Sequence, residues 1–367
     1  MPFVSWRRRP RAARLAVSTA LLLGLGATAA CSNAATDPEA PYAPSAFDKG
    51  SPISVLLASG SDLRKPLEEA LAKAEFTATV QVGIDGQDQH ERLAKIIEAK
   101  PKVLIVDAMD ADAIHSDLDK VQETGAAVVA LSSLPKGTKA VDFFVGSDPR
   151  AEGRLQGQAL VDGVRGRVEK GPSAVELFAG PVGDAAAKMR FDAAMEVLRP
   201  ALDAKTITVA SGEREFAQVA APDFRAAGTR MGTLLGAYYP KAAPQGFLAP
   251  NDAVAQSAMA AVRATGVAST PFATGAGSTS FGARALMTGQ LGMTTYVDPA
   301  ELTNTVVTLV RELSEGKEPT LNHKEGFGNG TEDVPAQLLT PASVTRANAA
   351  TTYANNAALK AIVSPSS

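Results

Sequence analysis

Cysteine is almost absent. Cys31 is the single one in 367 residues, which excludes a disulfide framework and any cysteine-rich zinc site. Histidine is nearly as scarce: only His90, His115 and His323 occur. No two of them have the spacing that sets a pair of imidazoles on one helix face, so neither a metal site nor a metal cofactor is expected. Neither sign of charge dominates, with 36 basic against 39 acidic side chains and a net charge of −3. That balance excludes a large basic surface for nucleic acid. Aromatic residues make up 5%. The sequence also lacks a Walker A loop, a Gly-x-Gly-x-x-Gly fingerprint and a Gly-x-Ser-x-Gly elbow. No nucleophile stands with a base and an orienting group beside it, so the residues point to binding without turnover and without a cofactor.

What is present begins with an address. Arg7, Arg8, Arg9, Arg11 and Arg14 precede the apolar stretch Leu15 to Ala30, which is shorter than the roughly 20 residues needed to cross a bilayer. Residues 1–30 read as a secretory signal peptide. The stretch ends Thr28-Ala29-Ala30-Cys31, small residues before a lone cysteine, which resembles a lipobox although Thr28 stands where leucine is usual. Residues 31–50, rich in Ser, Ala, Pro and Asp, read as a flexible tether behind a lipid-modified Cys31.

From residue 51 onward, short apolar runs alternate with amphipathic segments. Runs at 53–58, 77–82, 103–106, 128–131 and 143–145 are expected strands. Segments at 63–74, 88–100 and 111–124 are the helices between them. The pattern repeats with strands at 174–178, 207–210, 246–248, 271–273 and 293–296, and with helices at 150–167, 184–198, 226–239, 254–265, 281–288 and 301–315. Continuous apolar strands separated by helices mean βαβ units and parallel sheets. The fold class is therefore α/β, with two doubly wound lobes. Ligands of such sheets sit outside the carboxyl ends of the strands. The loops to watch are 59–64, 107–110, 132–134, 147–150, 180–184, 211–215, 250–252 and 275–280. They offer Asp107 and Asp184 among the candidate ligand contacts.

Specific segments then carry a resemblance. HERLAKIIEAKPKVLIVDAMDADAI, from residue 90, looks like the first lobe of periplasmic sugar-binding proteins that feed ABC importers. LFAGPVGDAAAKMRFDAAMEVLRP (177–200), RMGTLLGAYYP (230–240), FLAPNDAVAQSAMAAVRATG (247–266) and NGTEDVPAQLLTPASVTRAN (329–348) resemble the branch that binds multiple monosaccharides, and the xylose-binding proteins. The likeness spans nearly all of 52–350. It implies a type I periplasmic-binding-protein fold whose two lobes are joined by a three-strand hinge. The expected lobes are 51–147 with 275–320, and 148–274 with 321–360, leaving a tail at 361–367. The expected crossovers lie near Gly146-Ser147, Thr274-Gly275 and Thr320-Leu321.

Carried over residue by residue, the resemblance places Arg64, Asp148, Asn251 and Asp252 on the ligand. An Asp-Arg pair of the family is replaced by Ser132-Ser133, an asparagine by Ala186, and Gly-Gln-Asp by Gly275-Ala276-Gly277. Lys65 and Arg150 stand where aromatics are common, and Arg150 counts among the candidate contacts. With Lys188 and Arg190, these cations read either as ordinary surface charge or as a preference for an acidic or phosphorylated ligand. The function implied is that of a monomeric, extracytoplasmic solute-binding lipoprotein anchored to the cell membrane, with an importer permease as partner and a sugar or similar small polar molecule as ligand. The alternative is a non-transport sensor or interaction protein that kept the fold around a degenerate sugar site.

Overall fold

The computed structural model describes residues 46–221, 223–323 and 327–364. Cys31 and the expected signal peptide, with most of the tether, lie outside the described residues, as does the end of the tail. The first lobe opens with β1 (Ile53–Leu57), α1 (Arg64–Lys73), β2 (Ala78–Val82), α2 (Gly86–Ala99), β3 (Val103–Val106), α3 (His115–Glu123), β4 (Ala127–Leu131) and β5 (Phe143–Ser147). The chain continues through α4 (Pro149–Val164), β6 (Ser173–Leu177), α5 (Ala185–Asp203), β7 (Ile207–Val209), α6 (Phe216–Val219), α7 (Phe224–Tyr238), β8 (Gly246–Leu248), α8 (Asp252–Ala264), β9 (Phe272–Ala273), α9 (Ser280–Met287) and β10 (Thr294–Tyr296). It ends with α10 (Pro299–Ser314), β11 (Ala336–Leu339), β12 (Ala342–Val344), α11 (Ala349–Thr352) and α12 (Ala357–Val363).

One sheet has the order β11-β5-β4-β3-β1-β2 and the other β7-β6-β8-β9, with every pairing inside both parallel. Both faces of the first sheet's central strands β1, β3 and β4 are dry. Val55, Leu57, Ile105 and Val129 turn to a core shared with α1 and α10, while Leu56, Leu104, Val106 and Val128 turn to one shared with α2 and α3. This two-sided burial is why those strands are continuous apolar runs rather than alternating ones.

The helices owe their starts to side-chain caps. Asp85, Asp148, Asp184, Asp223, Asn251, Thr279 and Asp298 each accept a backbone N–H of the first turn. Each such cap contributes about 1 kcal/mol. Gly153 and Gly157 let α4 lie directly on α5: a Cβ at either position would overlap the Arg190 or Ala194 carbonyl.

The lobe boundaries differ from the expected ones at two places. The first crossover follows Ser147, between the end of β5 and the start of α4. The segment 275–297 stays with the second sheet instead of returning at Thr274-Gly275. Thr274 bridges Met293 in parallel, and Ala283, Leu286, Leu291 and Tyr296 share a core with Phe247, Met259 and Ala273. The second crossover therefore falls at Val297-Asp298-Pro299. Conversely, the chain does not leave the first lobe at Thr320-Leu321. Phe327 stacks on Phe144 at 4.9 Å, and β11 joins the first sheet beside β5. The third crossover falls at Thr340-Pro341.

The three crossings lie side by side. Leu339 is in register with Ser147, Asp148 N–H donates to the Leu339 carbonyl at 2.8 Å, and Ala342 is in register with Tyr296 in an antiparallel pair. A proline marks each crossing: Pro149, Pro299 and Pro341. Without an N–H, proline cannot extend a ladder, and after a capping aspartate it begins a helix well.

Candidate functional site

In each sheet, two neighbouring strands send the connections that follow them to opposite sides. In the first sheet this reversal lies between β1 and β3, and in the second between β6 and β8. A crevice opens at such points, outside the carboxyl ends of the strands. Asp107 stands at the first of these points and Gln156 at the second.

At the first, Asp107 follows β3 directly. Its N–H donates to the Leu56 carbonyl at 2.9 Å, and its own carbonyl accepts from Gln89 Nε2 at 2.9 Å, so its backbone is held from both sides. The side chain is half-buried. Burial pushes its carboxyl up to about 7, against one opposing hydrogen bond from the Ala58 N–H. A half-buried carboxyl held by a single donor of the fold has lone pairs left for donors from a ligand.

At the second, Gln156, Phe178, Ala179, Ala187, Arg190, Phe191, Leu248 and Pro250 line a small, mostly apolar pocket. Gln156 is fully buried. Its Nε2 donates to the carbonyls of Ala249 and Gly275 at 3.1 and 3.0 Å, leaving Oε1 buried without a partner. Arg190 donates from Nε to Glu152 Oε2 at 2.7 Å. The other oxygen of Glu152 accepts from Ser147 Oγ at 2.7 Å. The second lobe also touches the first here, since Ala186 and Met189 pack against the core that holds Ala108 and Ile114.

The expected contacts fare unequally. Asp107 occupies the mouth of a reversal point. Asp148 caps α4 through the N–H groups of Arg150 and Ala151 at 2.8 and 3.2 Å, and Arg150 is exposed. Asp184 caps α5 through Ala187 N–H at 2.9 Å. Asn251 caps α8 through Val254 N–H at 2.9 Å. Arg64 pairs with Glu68 one helical turn away, with its side chain 61% exposed.

Asp252 is 1% exposed. Its carboxylate accepts from Thr294 Oγ1 at 2.7 Å, Thr279 N–H at 2.9 Å and Thr279 Oγ1 at 3.0 Å, all within its own lobe. Burial raises its carboxyl above the ordinary range while these three donors pull it down. The side chain fastens α8 to α9 and β10. Gly275 and Gly282 crowd it so closely that a Cβ at either would overlap its oxygens.

Glu152 and Gln156 are not among the residues the sequence singles out, and Arg190 is read there either as surface charge or as a preference for an acidic ligand. The available signal was the Gly153/Gly157 pair, which marks the face of α4 that meets α5 and so turns the neighbouring residues 152 and 156 inward.

Comparison with known proteins fits this geometry. Residues 60–318 match the periplasmic binding protein domain family. The chain belongs to the periplasmic binding protein family. A multiple sugar-binding periplasmic receptor, ChvE, of Rhizobium radiobacter is 30% identical over 285 residues, covering 76% of this chain and 80% of the receptor. The D-xylose-binding periplasmic protein of Escherichia coli K12 is 27% identical over 262 residues, or 71% and 75% of the two chains. Among solved structures, a solute-binding protein of an ABC transporter from Clostridium phytofermentans, with bound β-D-glucose, superposes with a TM-score of 0.73 at 23% identity. That match covers 85% of this chain and all of the other, and it shows the shared type I fold. Families of this kind serve as the substrate-binding parts of importers rather than as enzymes. Among the described residues of this binding protein, no helix is long and apolar enough to cross a membrane, and no group of three or more metal-ligating side chains occurs.

Proposed function

We propose that this binding protein is the extracytoplasmic receptor of an ABC importer. It takes up a monosaccharide or related polyol between its lobes, delivers it to a membrane permease, and is held to the membrane through an acylated Cys31. The observation that carries this reading is the coincidence of both reversal points with polar groups suited to hydroxyls. Asp107 supplies an acceptor at one edge, and Gln156 with Arg190 supplies an acceptor and donors at the other. Turnover is not expected, because Asp252 and Glu152, two buried carboxylates of the second lobe, are filled by donors of the fold itself. The curated relatives named as sugar receptors support the ligand class.

A thermal-shift screen over aldoses, polyols and sugar acids tests this reading. A ligand present at 100 times its dissociation constant stabilises the folded state by about 2.7 kcal/mol. A shift with one or a few sugars is the expected result. A flat screen favours the sensor alternative, to which the acids absent at Ser132-Ser133 and Gly277 would also point.

A further inference from the structure

Of the cations that could have favoured an acidic ligand, Arg150 is exposed at the start of α4, and three others pair with acids on their own helices. Arg64 pairs with Glu68 at 3.0 Å, Lys65 with Glu69 at 3.7 Å and Lys188 with Asp192 at 2.6 Å, all one turn apart on exposed helix surfaces. Arg190 alone enters the pocket, and its partner Glu152 is the most deeply buried acid that pairs with a cation in the described residues, its side chain 8% exposed. Glu152 accepts from Arg190 through one oxygen and from Ser147 through the other. Thr295, at the end of the second lobe next to the second crossover, reaches the same oxygen at 3.5 Å.

We propose that Glu152 is a specificity-determining and positioning residue: it cancels the charge of Arg190 at the pocket and so restricts the ligand to neutral polyhydroxylated molecules, excluding uronic acids and sugar phosphates. This deepens the proposed receptor function and rests on it. The ion pair is not needed to dock α4 on α5, because Gly153 and Gly157 already bring the two backbones into contact. Its distinguishing property is its charge, placed beside the pocket.

An uncompensated guanidinium in a poorly hydrated site attracts carboxylate and phosphate strongly. With Nε engaged by Glu152, the Arg190 group keeps a neutral sum while its remaining N–H groups can still donate to hydroxyls. A ligand carboxylate would instead meet the negative charge of Glu152 beside Arg190. The Ser147 contact gives Glu152 a second effect. It joins the group that sets the pocket charge to the first crossover strand, so the Arg190 guanidinium is held in place relative to the hinge.

The test is calorimetric titration of the mature protein with matched pairs: D-glucose and D-glucuronate, D-galactose and D-galacturonate. In the wild type, the aldose that binds best should exceed its uronate by at least about a hundredfold, since like charges juxtaposed in a site cost several kcal/mol. Glu152→Gln keeps the shape and removes the charge. It should cut that preference at least about tenfold by raising uronate affinity. The double variant Glu152→Gln with Arg190→Gln restores neutrality and should restore the preference, whatever it does to absolute affinity; a merely structural Glu152 would show no such rescue.

The proposal is overturned if the wild type binds a uronate as tightly as its aldose. It is also overturned if a folded Glu152→Gln protein keeps the wild-type ratio, or if the double variant behaves like the single one. Should Glu152→Gln not fold, the wild-type ratio and the double variant still decide. A wild type that binds no member of either class overturns the receptor function itself, a distinct outcome from a neutral-sugar receptor whose preference ignores Glu152.

Discussion

Thr294 donates a 2.7 Å hydrogen bond to Asp252 across 42 residues of chain, and with it the loop after β8 is fixed to β10. The carboxylate most suggestive of a ligand contact in the sequence is thereby a fastening of the second lobe. Asp252→Ala should lower stability by about 3 kcal/mol, because it strands Thr279 and Thr294 donors in a dry site. Thr294→Val should cost less, about 1 kcal/mol, since it removes one donor and leaves two. Differential scanning calorimetry checks both. A melting temperature unchanged by Asp252→Ala, with ligand affinity lost, would return Asp252 to the binding site.

Asp107 predicts a pH dependence. Its carboxyl titrates near 7 in the fold because burial disfavours the charge, against about 3.9 in the unfolded chain. The folded state therefore holds an extra proton between those values, and this residue's contribution to stability declines as pH rises from about 4 to 7 and is level beyond. If ligand hydroxyls donate to the ionised group, affinity should rise as pH goes from about 6 to 8, with proton release on binding. Titrations in buffers of different ionisation enthalpy measure that release. Asp107→Asn should abolish it, and a flat affinity profile in the wild type would remove Asp107 from the site.

Asn356 donates to Asp62 at 2.8 Å, linking the loop after β1 to the residue that caps α12. Asp62→Ala removes this inter-lobe tie without removing the cap. Losing a hydrogen bond to a charged group should weaken ligand binding by about tenfold, with little change in melting. Equal affinity in the variant would mean that the tie does not bias the lobes.

Cys31 predicts the location. Cys31→Ser should move the protein from the membrane fraction to the soluble extracytoplasmic fraction. Unchanged fractionation would argue against acylation.

Much of the architecture was legible because the strands are buried on both faces. Val103 to Val106 and Ala127 to Leu131 are short apolar runs between amphipathic helices, and such runs have few other uses. β11 and β12 were not read as strands. Ala336–Leu339 and Ala342–Val344 are brief, and Pro341 between them interrupts the pattern. The second crossover was misplaced because Gly275 after a strand looks like a hinge, whereas Asp298-Pro299 repeats the Asp148-Pro149 signature of the first. For the site, local patterns marked caps as readily as contacts. Asp148, Asp184 and Asn251 stand after strands because helices begin there. Glu152, Gln156 and Arg190 meet only through the packing of α4 on α5, a relationship that residue spacing hints at through two glycines and does not spell out.

The central claim, that the crevice between these lobes receives a small polyhydroxylated solute, is most directly tested by equilibrium titration of the mature protein with the sugar that most raises its melting temperature. The expected result is saturable binding of one molecule per chain, together with a smaller radius of gyration in solution scattering at saturation as the crossovers at residues 147–149, 297–299 and 340–341 let the lobes close. Saturable heat from none of the aldoses or polyols, or binding that leaves the radius unchanged, would contradict it.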